Sequence, residues 1–230
     1  MHTEIRQIHT SKVKCVGEGE RENRSGFMQR FMSQFGKPTE FWGRVAGWIM
    51  AHRRSNRERN AWAVSLLQIQ PTDRVLEIGF GPGLAIELMS KLVTHGQIVG
   101  IDHSDIMLEQ SRKRNARAIE RGSVNLLLGS VCDLPSSLQG QFDKILTVNS
   151  IQFWENSTEV LRELRQLMTP WGKIAVALQP RSQNATNKDT QKAGHDLAER
   201  LRAAGFKQIQ LEIKPMKPVS VACSVGINDV

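Results

Sequence analysis

Val75-Leu-Glu-Ile-Gly-Phe-Gly-Pro-Gly83 reads as a buried strand running into a turn with a glycine at every second position, and Glu77 stands two residues before the first of them. Glycines at 79, 81 and 83 permit positive φ and let a flat ligand lie against bare main chain, which a Cβ would obstruct. Phe80 lies inside the same turn. Dinucleotide loops space their glycines G-x-G-x-x-G, so that a helix N-terminus meets a pyrophosphate. The G-x-G-x-G spacing here, with a carboxylate on the strand before it, suits a cationic, phosphate-free ligand. One strand later, Gln97-Ile-Val-Gly-Ile-Asp102 ends in an acid. A carboxylate accepting from two vicinal hydroxyls makes charge-assisted hydrogen bonds worth about 1.5 to 3 kcal/mol each. Such an acid, about 20 residues past the glycines, also serves dinucleotide folds. Asp102 therefore indicates a ribose without naming the cofactor.

Outward from this turn the chain alternates strand and helix at βαβ spacing from residue 71 onward, the pattern of a parallel sheet covered on both faces. Strands are expected near 74–79, 97–102, 123–128, 142–148 and 172–178, and helices near 84–94, 105–121, 156–168 and 188–204. Two further strands, Phe206 to Lys214 and Val219 to Ile227, close the chain. A short connection around Pro215 and Pro218 requires that pair to be antiparallel. The expected fold class is α/β: a Rossmann-like, seven-stranded, mostly parallel sheet with an antiparallel C-terminal strand pair and an N-terminal helical cap. Residues 1–26, polar and poor in apolar anchors, are expected to be a flexible tail or lid. Residues 27–70 carry aromatic and aliphatic residues at helical spacing, Trp42, Trp48 and Trp62 among them, and form the cap; residues 71–230 form the core.

The chain resembles the class I S-adenosylmethionine-dependent methyltransferases over roughly residues 40 to 230. The resemblance rests on the E/D-x-G-x-G-x-G signature at Glu77 to Gly83, on Asp102 closing the second strand, and on two later segments. Leu128-Gly-Ser-Val-Cys-Asp-Leu-Pro135 is similar to the family's G-D-A-x-x-L-P, with Ser130 where an acid normally accepts from the adenine amino group. Pro170-Trp-Gly-Lys-Ile is similar to its P-G-G-x-L turn, with Trp171 replacing a glycine. The resemblance implies S-adenosyl-L-methionine as cofactor, held by Glu77, Gly79, Phe80, Gly81, Gly83, Asp102, His103, Ser130, Val131, Asn149 and Ser150. His103 would be a wall for the adenine, and helices before the first strand would help to form the substrate pocket.

The fourth strand ends in Asn149-Ser-Ile-Gln-Phe-Trp154, and strand carboxyl ends beside the switch point form the site in open α/β sheets. Asn149 and Ser150 are placed at the sulfonium end of the cofactor. Gln152 and Trp154, with Trp42 and Trp48 of the cap, are placed against substrate. For Phe153 and Trp154, ordinary packing on the next helix is an equal alternative. The D/N-P-P-Y/F tetrad of enzymes that methylate nucleic-acid amino groups is absent, which argues against a flipped-base substrate.

Methyl transfer from a sulfonium depends chiefly on holding donor and nucleophile in line, about 3 Å apart. A general base is not obligatory, and His52, Asn149 and Gln152 are the candidates for a catalytic role. No spacing of His, Cys or carboxylates suggests a metal. Cys15, Cys132 and Cys223 lie far apart, without a C-x-x-C, so no disulfide framework is indicated. No apolar run reaches the roughly 18 residues of a membrane span, and a cytoplasmic protein is expected.

The net charge of +8 is uneven, because residues 1–62 carry a surplus of six basic residues and the remaining 168 a surplus of two. The densest basic stretch, His52 to Arg59, is expected to be a solvated helix face rather than a polyanion-binding surface. The leading reading is methyl transfer to a small-molecule acceptor through O, N or C, of apolar or aromatic character, with no nucleic-acid partner. An NAD-type oxidoreductase and a non-catalytic methyltransferase-fold module binding a polyanion through its basic N-terminal helices are the alternatives.

Overall fold

The computed structural model describes residues 54–134, 138, 140–182 and 184–229. The tail at 1–26 and most of the cap, including Trp42, Trp48 and His52, lie outside the described residues. Seven strands form one sheet: β1 (Arg74–Ile78), β2 (Gln97–Asp102), β3 (Val124–Leu128), β4 (Phe142–Val148), β5 (Met168–Leu178), β6 (Lys207–Lys214) and β7 (Val221–Ile227), in the order β3-β2-β1-β4-β5-β7-β6. The pairs β1 with β2, β1 with β4, β2 with β3 and β4 with β5 are parallel. β7 runs against both of its neighbours, β5 and β6. A single reversed strand therefore sits second from the edge, and the connection from β6 to β7 is the short one that the two prolines marked.

The central strands are apolar almost without interruption, as strands buried on both faces must be. Val75, Leu76 and Ile78 of β1, Ile98, Val99 and Ile101 of β2, and Ile174 to Ala177 of β5 are all buried. On one face the sheet packs against α5 (Ser157–Gln166) and α6 (Asn187–Ala203), through Val160, Leu161, Leu164, Leu197 and Leu201. On the other it packs against a helix at residues 54–67, called α1, and against α2 (Leu84–Met89) and α3 (Asp105–Arg114), through Ala63, Val64, Leu67, Ile86, Met89 and Leu108. α6 closes on the reversed strand through Gly194, where a Cβ would stand 3.0 Å from that of Ala222, and Ser224 Oγ donates to the Gly194 carbonyl at 3.0 Å.

Three boundaries differ from expectation, each for a local reason. The helix after the glycine turn stops at Met89 rather than near 94, because the chain must turn back to pair its 94–96 amides with the Pro71 carbonyl. The helix expected over 105–121 is broken at Asn115 into α3 and α4 (Ala116–Glu120); the Asn115 amide donates to the carbonyls of Ser111 and Gly83. β5 begins at Met168, four residues early, with a register shift opposite Phe142 and Lys144. Within that extension Trp171 takes φ of 64° and is exposed. Cys223 is free and buried. Among the described residues no helix is long and apolar enough to cross a membrane, and no group of His, Cys, Asp and Glu could hold a metal ion.

Candidate active site

The carboxyl ends of β1, β2, β4 and β5 converge on the glycine turn, and the turn is built from three glycines with three different jobs. Gly79, Gly81 and Gly83 all have positive φ, of 73°, 52° and 77°. A Cβ on Gly79 would stand 2.6 Å from the Cβ of Ser150, so this glycine lets the end of β4 close on the turn. A Cβ on Gly83 would stand 2.2 Å from Ser111 Oγ, so that one serves the packing of α3 behind the turn. A Cβ on Gly81 would meet nothing within 4 Å. Of the three, Gly81 is the one that leaves bare main chain facing open space.

Asp102 is buried and braces this main chain. Its Oδ2 accepts from the Gly81 N–H at 2.8 Å and its Oδ1 from the Ser104 N–H at 3.0 Å. His103 beside it is largely exposed, with Nδ1 3.8 Å from Asp102 Oδ1. Glu77 behaves otherwise than expected. It is 2% exposed, beneath the turn, and its carboxylate accepts from the Ile86 N–H in the first turn of α2 while Oε2 has no partner. Burial first, and then the charge of Asp102, push this carboxyl well above the usual carboxylate range. Glu77 thus ties β1 to α2 rather than presenting an open carboxylate to a ligand. Phe80 also turns away: its side chain is buried and lies against Gly100, where a Cβ would come within 2.8 Å of the ring. Phe80 contributes main chain to the turn and side chain to the core.

At the end of β3, Ser130 Oγ accepts from the Cys132 N–H at 3.2 Å and the Asp133 N–H meets the Ser130 carbonyl at the same distance, closing a tight turn beside Asp102. The Val131 side chain is buried in the core. At the end of β4, Asn149 takes φ of 57°, a left-handed conformation that Asn tolerates better than most residues. Its Oδ1 accepts from the Gln179 N–H at 2.8 Å and its buried Nδ2 has no acceptor. Gln152 is exposed and donates to the Asn149 carbonyl at 3.3 Å. Trp154, for which substrate contact and packing are equal expectations, is 7% exposed in the core, with Nε1 donating to Ser150 Oγ at 3.2 Å. The residue before it, Phe153, is 65% exposed and holds the outward position.

Sequence reasoning missed Arg59, Gln179 and Thr147. Thr147, fully buried on β4, has an Oγ1 without a partner. Gln179 directly follows β5, the strand-end position that marks site residues in such sheets. Arg59 is 4% exposed on α1 and donates through Nη1 to Gln179 Oε1 and through Nη2 to Asn56 Oδ1. The described part of the basic stretch, 54–59, is therefore not one solvated face; Arg57 is outward, paired with Glu87 at 3.7 Å, and Arg59 is inward. The signal was the helical stripe Arg59, Ala63, Leu67, all buried and four apart. A cavity of about 330 Å³ lined by Gln141, Arg165, Met168 and Asn228 opens at the amino ends of β4 and β5, remote from this turn.

The site fits a nucleoside-bearing cation. Gly81 offers bare main chain, Asp102 a fixed carboxylate, and the end of β4 an unpaired amide donor. The comparisons agree. A methyltransferase domain model matches residues 76–176. The uncharacterized methyltransferase YdaC of Bacillus subtilis is 34% identical over 184 residues, 79% of this chain and 97% of that protein. The ubiquinone/menaquinone biosynthesis C-methyltransferase UbiE of Geotalea daltonii is 25% identical over 53% of this chain and 52% of its own length. Among solved structures, magnesium protoporphyrin IX methyltransferase of Synechocystis, with S-adenosylmethionine bound, superposes with a TM-score of 0.60 at 14% identity over 89% of this chain and 92% of that one. A Thermotoga maritima S-adenosylmethionine-dependent methyltransferase gives 0.55 at 22% identity, over 82% and 96%. These findings decide against the NAD reading, and the chain belongs to the class I S-adenosylmethionine-dependent methyltransferases.

Proposed function

We propose that the methyl acceptor is a small molecule with an apolar or aromatic body, bound over the carboxyl ends of β4 and β5. The observation that carries this reading is the end of β4. There the buried Asn149 Nδ2 lacks an acceptor, exposed Phe153 stands four residues on, and Ser150-Ile-Gln152 replaces the P-P-Y/F of the tetrad that reads a flipped base. The relatives named for a quinone and a porphyrin add support.

S-adenosylmethionine supplies the activated methyl group, and the chain supplies position. Asp102 would hold the ribose hydroxyls, the Gly79 to Gly83 main chain and Ser150 the amino-acid end, and His103 with the Ser130 to Val131 backbone the adenine. Asn149 would orient the reacting group. No side chain among the described residues of this site presents itself as a strong base, since His103 is exposed and Glu77 is tied beneath the turn. Catalysis would then rest on alignment, which can supply about 7 kcal/mol or more of the barrier.

The test is label transfer. Purified protein with methyl-labelled S-adenosylmethionine is offered the small-molecule, protein and nucleic-acid fractions of a bacterial extract separately. Label is expected in the small-molecule fraction, and label confined to either polymer would sink the reading.

A further inference from the structure

Arg59 is the single buried Lys or Arg among the described residues, and nothing described neutralises it. Its guanidinium meets two neutral amide oxygens, those of Gln179 and Asn56, and its buried Nε has no acceptor. No carboxylate among the described residues pairs with it. Arg181, exposed on the loop after β5, brings a second positive charge, and burial together with this neighbour lowers the Arg59 pKa to about 10. A desolvated cation with a like charge beside it is unfavourable unless an anion joins it.

The place narrows the anion. Gln179 accepts from Arg59, donates through Nε2 to the Val219 carbonyl at 2.7 Å, and donates through its backbone N–H to Asn149 Oδ1 at 2.8 Å. One residue thus joins the buried cation, held by its side chain, to the residue at the end of β4, held by its backbone N–H. In the sheet, β5 lies two strands from β1 and three from β2, which carry Gly81 and Asp102. At about 4.8 Å per strand this is roughly 10 and 14 Å along the sheet, away from the carboxylate of Asp102.

We propose that Arg59 and Arg181 form a receptor for a carboxylate on the methyl acceptor, so that the enzyme acts on organic acids. This rests on the small-molecule reading above. Arg59 is the fixed inner arm, a planar fork suited to a carboxylate, and Arg181 the outer arm. The amino-acid carboxylate of the cofactor offers the same chemistry, and the experiment separates the two.

Wild type, Arg59→Gln, Arg59→Lys and Arg181→Gln are saturated with S-adenosylhomocysteine, and binding of benzoate against benzamide, and acetate against acetamide, is measured at fixed ionic strength. The wild type should prefer at least one acid over its amide about tenfold or more. Arg59→Gln should abolish the preference, Arg59→Lys retain part of it, and Arg181→Gln reduce it. Affinities for S-adenosylhomocysteine and for 5′-methylthioadenosine, which lacks the amino acid, should stay within about twofold in all variants. No acid preference in the wild type, or one that persists in Arg59→Gln, overturns the proposal. So does a loss of S-adenosylhomocysteine affinity in Arg59→Gln with methylthioadenosine unaffected, which would give the guanidinium to the cofactor. Should Arg59→Gln fail to fold, Arg59→Lys and Arg181→Gln carry the same comparison. Failure of the small-molecule reading would show separately, in the label-transfer experiment.

Discussion

Asp102 at the end of β2 and Arg59 on α1 are both buried charges, yet their surroundings differ in kind. Each oxygen of Asp102 receives a backbone N–H, from Gly81 and Ser104, so the carboxylate is solvated by main chain that the fold holds in place. Arg59 meets only side-chain amides and lacks a counter-charge. One half of the site is organised around a charge the protein itself satisfies. The other half holds a charge the described residues leave unsatisfied, which is where an outside partner gains most.

The comparison can be broken most severely at the glycine turn. Gly83→Ala forces a Cβ into Ser111 and Asn115 at positive φ, and should cost about 3 kcal/mol or more by urea unfolding. Gly81→Ala, with nothing within 4 Å, should cost only about 1 to 2 kcal/mol from backbone strain while weakening cofactor binding. If the two variants unfold alike, the division of labour among the glycines is wrong. Asp102→Ala should weaken S-adenosylhomocysteine by about tenfold or more in calorimetry. Unchanged affinity would remove Asp102 from the ribose.

Glu77→Gln probes the deeper layer beneath Asp102. Because the folded carboxyl is raised, the stability it allows is complete below the unfolded carboxyl range, near pH 4.3, and is lost as pH rises toward the folded value. The variant should therefore match the wild type in acid and exceed it at neutral pH, as read by urea midpoints. An equal or lower midpoint at neutrality would mean that the Ile86 contact outweighs burial. The smallest effect belongs to Arg57→Ala, whose pair with Glu87 is half-exposed: under about 0.5 kcal/mol, in contrast to its inward neighbour two residues on.

The acidic half was legible in the sequence and the basic half was not. Glycine spacing, Asp102 and the strand-end position of Asn149 are set by backbone needs that leave a linear signature. The proline-marked connection gave the antiparallel pairing of β6 and β7 for the same reason. By contrast, the run from His52 to Arg59 has the composition of a solvated face, and only the phase of Arg59 against Ala63 and Leu67 shows one arginine turned inward. Of the two readings for Trp154, packing is the one realised, and Phe153 faces outward, because residues 151–153 form a 3-10 turn that rotates the pair relative to a continuing strand. Glu77 matched the family pattern in identity, but its depth beneath the turn depends on where α2 settles.

The indole of Trp154 gives the protein an optical handle. It is shielded from water and hydrogen-bonded to Ser150, whose side chain fills the space that Gly79 leaves open. Its emission should lie to the blue of that from exposed Trp171, and ligands that shift the Gly79 to Ser150 contact should change its intensity. Occupancy of the glycine turn then becomes readable in the native chain by fluorescence, without a label.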